Sequence, residues 1–245
     1  MENIRHEEIL KILKKRGKAT VKELSDELFV CEMTIRRDLR ELDRCGLLTR
    51  YRGGAAIRIK DVDYPIKIRR RFRESEKKEL ALAASEYLCD NSCVFLDSSS
   101  VCMYLIPHIA KRKNIRLVTN SVQTVLLAAQ LHIPCELVGG SYFEKDMCLV
   151  GGAAVRRLCE INPDTAFISS SALSDDGTVS DIDEQQTEVR RAVIKNARKT
   201  VFVFDSTKLH KTDTFTLYRT GGSEVIITPQ DCTLPQNLSR PTEKP

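Results

Sequence analysis

The stretch VCEMTIRRDLREL, residues 30–42, decides how the chain is read. Ile35, Leu39 and Leu42 recur at near-helical spacing, so a helix laid on a core turns them inward. Thr34, Arg36, Arg37, Arg40 and Arg44 are left outside. A face so rich in arginine is either a solvated surface or a probe for nucleic acid, and the flanking sequence has to choose.

Upstream, RHEEILKILKKR at 5–16 puts Ile9, Leu10, Ile12 and Leu13 on one apolar stripe, and Gly17 ends that helix. Thr20 then caps VKELSDELF, with Glu23 at the capping-box position. Downstream, GLLTRYRGGAAI at 46–57 alternates around a Gly53-Gly54 turn and predicts a β-hairpin. Three short helices and a hairpin make a winged helix-turn-helix over 1–57, a motif whose last helix enters the major groove.

Charge points the same way. Residues 1–75 hold 20 of the 39 Lys and Arg but only 13 of the 34 Asp and Glu, leaving 19 basic and 21 acidic residues for the rest. The net charge of +5 therefore resides in the first third, where a nucleic-acid contact is expected. Residues 58–75, RIKDVDYPIKIRRRFRES, are basic, contain Pro65 and have no clean period, so they predict a linker. Its run from Lys67 to Arg73 either solvates that linker or touches DNA backbone.

From residue 76 the pattern changes. A helical segment near 76–90 precedes CVFLD at 93–97, and RLVTN, CELVGG, TAFISS, TVFVFD and EVIIT follow with helices between them. Short apolar strands alternating with helices predict a mostly parallel α/β sheet over 76–229. The polar tail 230–245 reads as disordered. No apolar run reaches membrane-spanning length and no signal-peptide pattern opens the chain, which predicts a soluble cytoplasmic protein without membrane contact. The nine cysteines form no C-x-x-C pair and sit mostly among apolar residues, which predicts buried free thiols in a reducing compartment.

Open α/β sheets bind ligands beyond the carboxyl ends of their strands. Here those ends carry Asp97-Ser98-Ser99-Ser100, Thr119-Asn120-Ser121, Gly139-Gly140 and Asp205-Ser206-Thr207-Lys208. The serine run is expected at the N-terminus of a helix starting near Val101, where backbone N–H groups and the helix dipole favour an anion. Lys208 adds a fixed positive charge, and Asp97 and Asp205 suit sugar hydroxyls. A phosphorylated polyol fits this set, although the same residue types also serve as plain helix caps. His108, His132 and His210 are isolated, so no metal and no cofactor are expected. No G-x-S-x-G elbow, Walker loop or H-E-x-x-H is present. Asp97, Asp205 and Lys208 would still serve as acid, base and electrostatic stabiliser of a sugar-phosphate isomerase carrying a DNA-binding module; that alternative leaves the basic first third unexplained.

ATVKELSDELFVCEMTIRRDLRELDRCGLLTRYRGGA, residues 19–55, resembles the winged helix of the DeoR family of bacterial sugar-metabolism repressors, most specifically in TIRRDL at 34–39 and RYRGGA at 50–55. EKKELA, FLD, VTNS, LVGG and DSTK fall in the order of that family's effector domain, whose fold resembles ribose-5-phosphate isomerase. The resemblance covers roughly residues 5–228. It implies a non-enzymatic repressor that binds a double-stranded DNA operator, responds to a phosphorylated sugar and forms a homo-oligomer, dimer or tetramer. Thr34, Arg36, Arg37 and Arg40 would lie on the recognition helix and Arg50 and Arg52 on the wing. Lys77, Asp97, Ser98, Ser99, Ser100, Thr119, Asn120, Gly139, Gly140, Asp205 and Lys208 would line the effector site.

Three departures from the family pattern stand out. Cys31 replaces the usual Ser cap of the recognition helix, which weakens the cap by about 1 kcal/mol while Thr34 and Glu32 compensate. Arg52 replaces a wing His and adds a permanent charge. Ser98-Ser99-Ser100 replaces a Gly followed by two Thr, and FISSSALSDDGTV likewise has serines for glycine. Loss of a glycine that permits φ > 0 points to a changed ligand preference or a weakened site.

Overall fold

The computed structural model describes residues 2–44, 47–57, 66–221 and 224–232. Its contacts divide the chain into two compact units, residues 1–72 and 73–245.

In the first unit, helix α1 (Glu2–Arg16) is closed by Gly17 at φ 77°, whose N–H donates to the Leu13 carbonyl at 2.7 Å. A left-handed glycine there satisfies an orphan carbonyl without steric cost. A short strand β1 (Lys18–Thr20) follows, and Thr20 caps α2 (Val21–Leu28). Its hydroxyl accepts from Glu23 N at 3.2 Å and its N–H donates to Glu23 Oε2 at 2.6 Å, a complete capping box. Helix α3 (Glu32–Arg44) leads to β2 (Leu48–Tyr51) and β3 (Gly54–Ile57). These pair antiparallel, with Leu48 opposite Ile57 and Tyr51 opposite Gly54. Strand β1 joins the hairpin on β3, giving the order β1-β3-β2; three residues with one buried side chain carry too little pattern to foresee it. Ile9, Leu13, Leu24, Ile35, Leu39 and Leu48 form the core. Within the stretch read as linker, Ile66–Arg69 forms a helical turn, α4, with Ile66 buried. Positions 58–65 lie outside the described residues, as do Cys45, Gly46 and the tail from 233.

The second unit runs α5 (Glu74–Ala84), β4 (Cys93–Leu96), α6 (Ile106–Ile109), β5 (Arg116–Thr119), α7 (Val122–Gln130), β6 (Cys135–Leu137), β7 (Ser141–Phe143), β8 (Cys148–Val150) and α8 (Gly152–Cys159). It continues through β9 (Thr165–Ile168), β10 (Ala172–Leu173), β11 (Thr178–Asp181), α9 (Glu184–Asn196), β12 (Lys199–Val203), β13 (Phe215–Arg219) and β14 (Val225–Ile227). Six strands form one sheet in the order β14-β12-β9-β4-β5-β6, and every pairing in it is parallel. Alternation along each strand divides the apolar residues between two cores. Phe95 and Phe202 pack with Ala154, Leu158, Val189 and Val193 from α8 and α9. Val94, Leu96, Val201 and Val203 pack with Leu80, Ala81 and Ala84 from α5 and with Ile106 and Ile109 from α6. The antiparallel hairpin β7–β8 and the antiparallel sheet β10-β11-β13 are additions that the sequence pattern did not reveal. Their strands are short and lack a clean two-residue alternation.

After β4 the chain winds one way through β5 and β6; after β9 it winds the other way through β12 and β14. Neighbours β4 and β9 therefore flank the point where the winding reverses, the place where open α/β sheets hold ligands. Among the described residues no helix is long and apolar enough to cross a membrane, and no cluster of His, Cys, Asp or Glu is arranged to hold a metal ion.

The eight described cysteines are free thiols, but only Cys102 and Cys148 are fully buried; Cys31, Cys89 and Cys159 are exposed. The expectation that most are buried is corrected. Apolar neighbours in sequence do not bury a residue that falls at a helix end or on an outer face.

Candidate functional site

Helix α3 buries Ile35, Asp38, Leu39 and Leu42 and exposes Arg36, Arg37, Arg40 and Arg44. Arg50 on β2 and Arg52 in the following turn are exposed as well. The arginines expected on helix and wing are thus on the surface of one small unit. Arg36 is partly engaged, for Glu32 one turn earlier holds its guanidinium at 2.9 Å. Thr34 is half-buried, with its hydroxyl 3.2 Å from Cys31 Sγ and its N–H bonded to the Cys31 carbonyl at 3.0 Å. Cys31 therefore occupies the cap position, and the Thr34 hydroxyl followed by backbone N–H groups lowers its thiol pKa. The helix forms without the serine, and Thr34 stands half-buried at its start beside Cys31.

Asp38, inside TIRRDL, is fully buried although sequence reasoning assigned it nothing. Its carboxylate accepts Nε and Nη2 of Arg5, the latter at 3.0 Å, and lies 3.4 Å from His6 Nε2. A bidentate pair of this kind fastens α3 to α1. The signal was legible: Ile35, Asp38, Leu39 and Leu42 follow i, i+3, i+4, i+7, so Asp38 is a charge on the inward stripe.

In the second unit the polar strand ends meet at the reversal of winding. Asp97 follows β4, and its N–H donates to the Phe167 carbonyl on β9 at 3.2 Å. Its Oδ1 accepts Ser99 N at 2.9 Å; its Oδ2 accepts Ser169 N at 3.0 Å and Arg190 Nε at 3.1 Å. At 1% exposure, with three donors bound, this carboxylate braces the strand end.

Ser98, Ser99 and Ser100 are all buried. Ser98 Oγ donates to Gln186 Oε1 at 3.1 Å, and Ser99 Oγ accepts Cys102 N at 3.4 Å. The segment they open is a four-residue 3-10 turn, Cys102–Leu105, followed by the four-residue α6, which contains Pro107. Units this short have no appreciable macrodipole, so the helix-dipole component of the anion argument does not hold here. None of Ser98–Ser100 or Ser169–Ser171 has positive φ, so the glycine that the family pattern suggested is not needed for these turns.

Asp205 follows β12 and Phe204, is buried, and accepts Thr207 N at 3.1 Å together with the Thr207 hydroxyl. Burial raises its pKa, but the charges of Lys208 and Lys77 outweigh that and hold it below the ordinary carboxylate range. Lys77 reaches this spot as a buried cation on α5, and Lys208 Nζ donates to Ser169 Oγ at 2.9 Å. Lys77, Asp97, Ser98, Ser99, Asp205 and Lys208 thus cluster where β4, β9 and β12 end.

Thr119 and Asn120, past β5, are both buried. Thr119 Oγ1 donates to the Leu96 carbonyl at 2.7 Å and accepts Ser121 N at 3.0 Å, and Ser121 caps α7. Asn120 Nδ2 donates to the Leu149 carbonyl at 3.2 Å, while its buried Oδ1 has no protein partner. Gly139 and Gly140 are exposed past β6 and act through the backbone. Gly140 sits at φ 149°, and a Cβ there would lie 2.5 Å from the Val150 carbonyl oxygen. Glycine is required at 140 so that the chain can turn into β7 against β8.

Sequence reasoning missed the buried ionic network on α9. Arg190 also contacts Asp181, whose carboxylate accepts Ser170 Oγ at 2.9 Å, and donates through Nη2 to Gln186 Oε1 at 3.1 Å. Gln186 in turn donates to Asp146. Burial opposes the Arg190 charge, yet Asp181 and Asp97 raise its pKa above the ordinary arginine value. Asp181 is held below its ordinary range, burial being outweighed by Arg190 and by its hydrogen bonds.

Two family models match the chain: the DeoR-like helix-turn-helix domain at residues 5–60 and the DeoR C terminal sensor domain at residues 73–230. The HTH-type transcriptional repressor CsqR of Escherichia coli (strain K12) is 27% identical over 209 residues, covering 85% of this chain and 80% of its own length. The glycerol-3-phosphate regulon repressor of the same organism is 28% identical, over 83% of this chain and 81% of its own. The lactose phosphotransferase system repressor of Lactococcus lactis subsp. lactis is 30% identical, over 96% of this chain and 93% of its own. Among solved structures, the ribose 5-phosphate isomerase from Plasmodium falciparum superposes with a TM-score of 0.42 at 18% identity, over 57% of this chain and 54% of that one. With a helix-turn-helix unit and a sensor unit matched in sequence over most of its length, the chain belongs to the DeoR family of transcriptional regulators.

Proposed function

We propose that the chain is a cytoplasmic repressor of a sugar-utilisation operon, binding its operator as a homo-oligomer and releasing or tightening on it when a phosphorylated sugar enters the second unit. The observation that carries this reading is the row of exposed arginines on α3 opposite its buried stripe. Such a row suits phosphate and guanine contacts in the major groove. The effector site is assigned to Lys77, Ser98, Ser99, Ser100, Thr119, Asn120, Gly139, Gly140, Asp205 and Lys208, with Asp97 positioning them. Two lysine cations among hydroxyls suit a phosphate, and the unpartnered Asn120 Oδ1 suits a ligand hydroxyl. Coupling requires that the ligand bind one arrangement of the oligomer better than the other.

The isomerase alternative is disfavoured by the same geometry. Asp97 and Asp205, its acid and base, are committed to donors of their own loops and to buried cations. The test is fluorescence anisotropy of full-length protein on DNA from its own upstream region, at fixed salt, with a panel of sugar phosphates. Arg37→Ala with Arg40→Ala should weaken specific binding on the order of a hundredfold or more without loss of fold. Lys208→Ala should abolish the ligand response and spare DNA binding. Unchanged operator affinity in the first variant sinks the recognition helix; a normal ligand response in the second sinks the effector site. Turnover of a pentose or hexose phosphate would restore the enzyme.

A further inference from the structure

The inward stripe of α3 is Ile35, Asp38, Leu39 and Leu42. At about 100° per residue, the positions directly opposite are 33, 37, 40 and 44. Three of these are the exposed arginines Arg37, Arg40 and Arg44; the fourth is Met33, 73% exposed. Arg36 lies to one side of this ridge, beside its partner Glu32. A large apolar side chain on the crest of an arginine ridge is not core material: Met33 stands outside the unit's hydrophobic cluster. It is the second residue of the helix, and N-terminal residues of a recognition helix are those that contact base edges. On the major-groove edge of B-DNA the one apolar group is the 5-methyl of thymine. Methionine is unbranched and polarizable, so its thioether can settle on a methyl group between two bulky guanidinium contacts.

We propose that Met33 is a specificity-determining residue that packs against the 5-methyl group of a thymine in each operator half-site. This rests on the DNA-binding reading above, and the test separates the two. Full-length protein selects its sites from synthetic random duplexes, in which thymine is the only base with a 5-methyl group. In the best site each thymine is replaced singly by deoxyuridine, and affinity is measured by anisotropy at fixed salt for the wild type, Met33→Ala and Met33→Leu.

Burial of one methyl is worth about 0.8 kcal/mol, or about fourfold in affinity. Wild type should therefore weaken about fourfold at one thymine, at the same place in each half-site. Met33→Ala should bind the parent site about fourfold more weakly and be indifferent to that replacement, and Met33→Leu should keep the sensitivity. Failure to select any site removes the DNA-binding reading and this inference with it. A specific site that no uridine replacement affects, or a Met33→Ala protein as sensitive as wild type, overturns the Met33 assignment alone.

Discussion

Arg190 Nε donates to Asp97 Oδ2 at 3.1 Å, joining helix α9 to the C-terminal end of strand β4. The same guanidinium holds Asp181 at the end of β11, so one buried cation fixes two carboxylates from separate elements. The floor of the proposed effector site is built on this contact, since Asp97 in turn fixes the Ser99 and Ser169 backbones.

Removing one partner from a buried ionic cluster strands the others. Arg190→Ala should lower the unfolding free energy of the second unit by about 3–5 kcal/mol. Urea unfolding followed by far-UV circular dichroism measures it. A loss under about 1 kcal/mol would mean that water reaches the two carboxylates and that the network is not a strut.

Acid should weaken the second unit through Asp181 and Asp205. Both have folded-state pKa values held below the ordinary carboxylate value. A depressed folded pKa gives stability that is complete above the unfolded value, roughly 3.9, and is lost as pH falls through the folded value. These two groups should therefore leave the urea midpoint level from roughly pH 7 to 5 and pull it down below roughly pH 4. Asp205→Asn should make that decline shallower; an equally steep decline would remove Asp205 from the account.

Neighbouring glycines should behave differently. Gly140→Ala forces a Cβ to within 2.5 Å of the Val150 carbonyl at a φ that side chains avoid. The backbone strain alone should cost about 1–3 kcal/mol. A Cβ at Gly139 meets nothing within 4 Å, so Gly139→Ala should shift stability by less than about 0.5 kcal/mol. Thermal denaturation of the pair decides it, and similar losses in both would place the constraint elsewhere.

On the wing, Arg50 and Arg52 are expected to meet phosphates and not bases. Replacing each with Ala should weaken binding to all sequences alike and reduce the slope of log affinity against log salt by about 0.9 per lost contact. Titrations on specific and scrambled duplexes over a range of salt test this. A change of sequence preference with an unaltered slope would make the wing a base reader.

Much of this architecture was legible because long elements carry strong patterns. The capping box at Thr20 and Glu23, the α3 stripe and the six apolar strands of the large sheet lie where residue spacing places them. What escaped was short or paired at long range: β1 with three residues, the β7–β8 hairpin, two-residue β10, and the pairing of β11 with β13, which joins Thr178 to Arg219. At the site, strand-end positions identified Asp97, Asp205 and Lys208, and the family resemblance Lys77, but neither revealed their pairing. The missed groups share one signature. Asp38 with Ile35, Leu39 and Leu42, and Arg190 with Gln186, Val189 and Val193, each place a charge on a helix stripe that faces inward. Lys77 with Leu80, Ala81 and Ala84 shows the same pattern. A charge on an apolar stripe announces a buried partner without naming it, because the partner comes from another part of the chain.

The pairing of β4 with β9 also shapes how the chain is born. Residues 94–96 find their partners at 165–167 only after about seventy more residues have been made. Strand β5 can join β4, and β6 can join β5, earlier, which leaves the other edge of β4, with Val94 and Phe95, open until β9 arrives. The hairpin of the first unit, by contrast, is complete by residue 57. At roughly 5–20 residues per second, that unit emerges on the order of 6–20 s before β9. The arginine helix is thus in place while the sheet proposed to regulate it is still an unfinished edge, and that interval is when a nascent chain of this kind is most exposed to wrong partners.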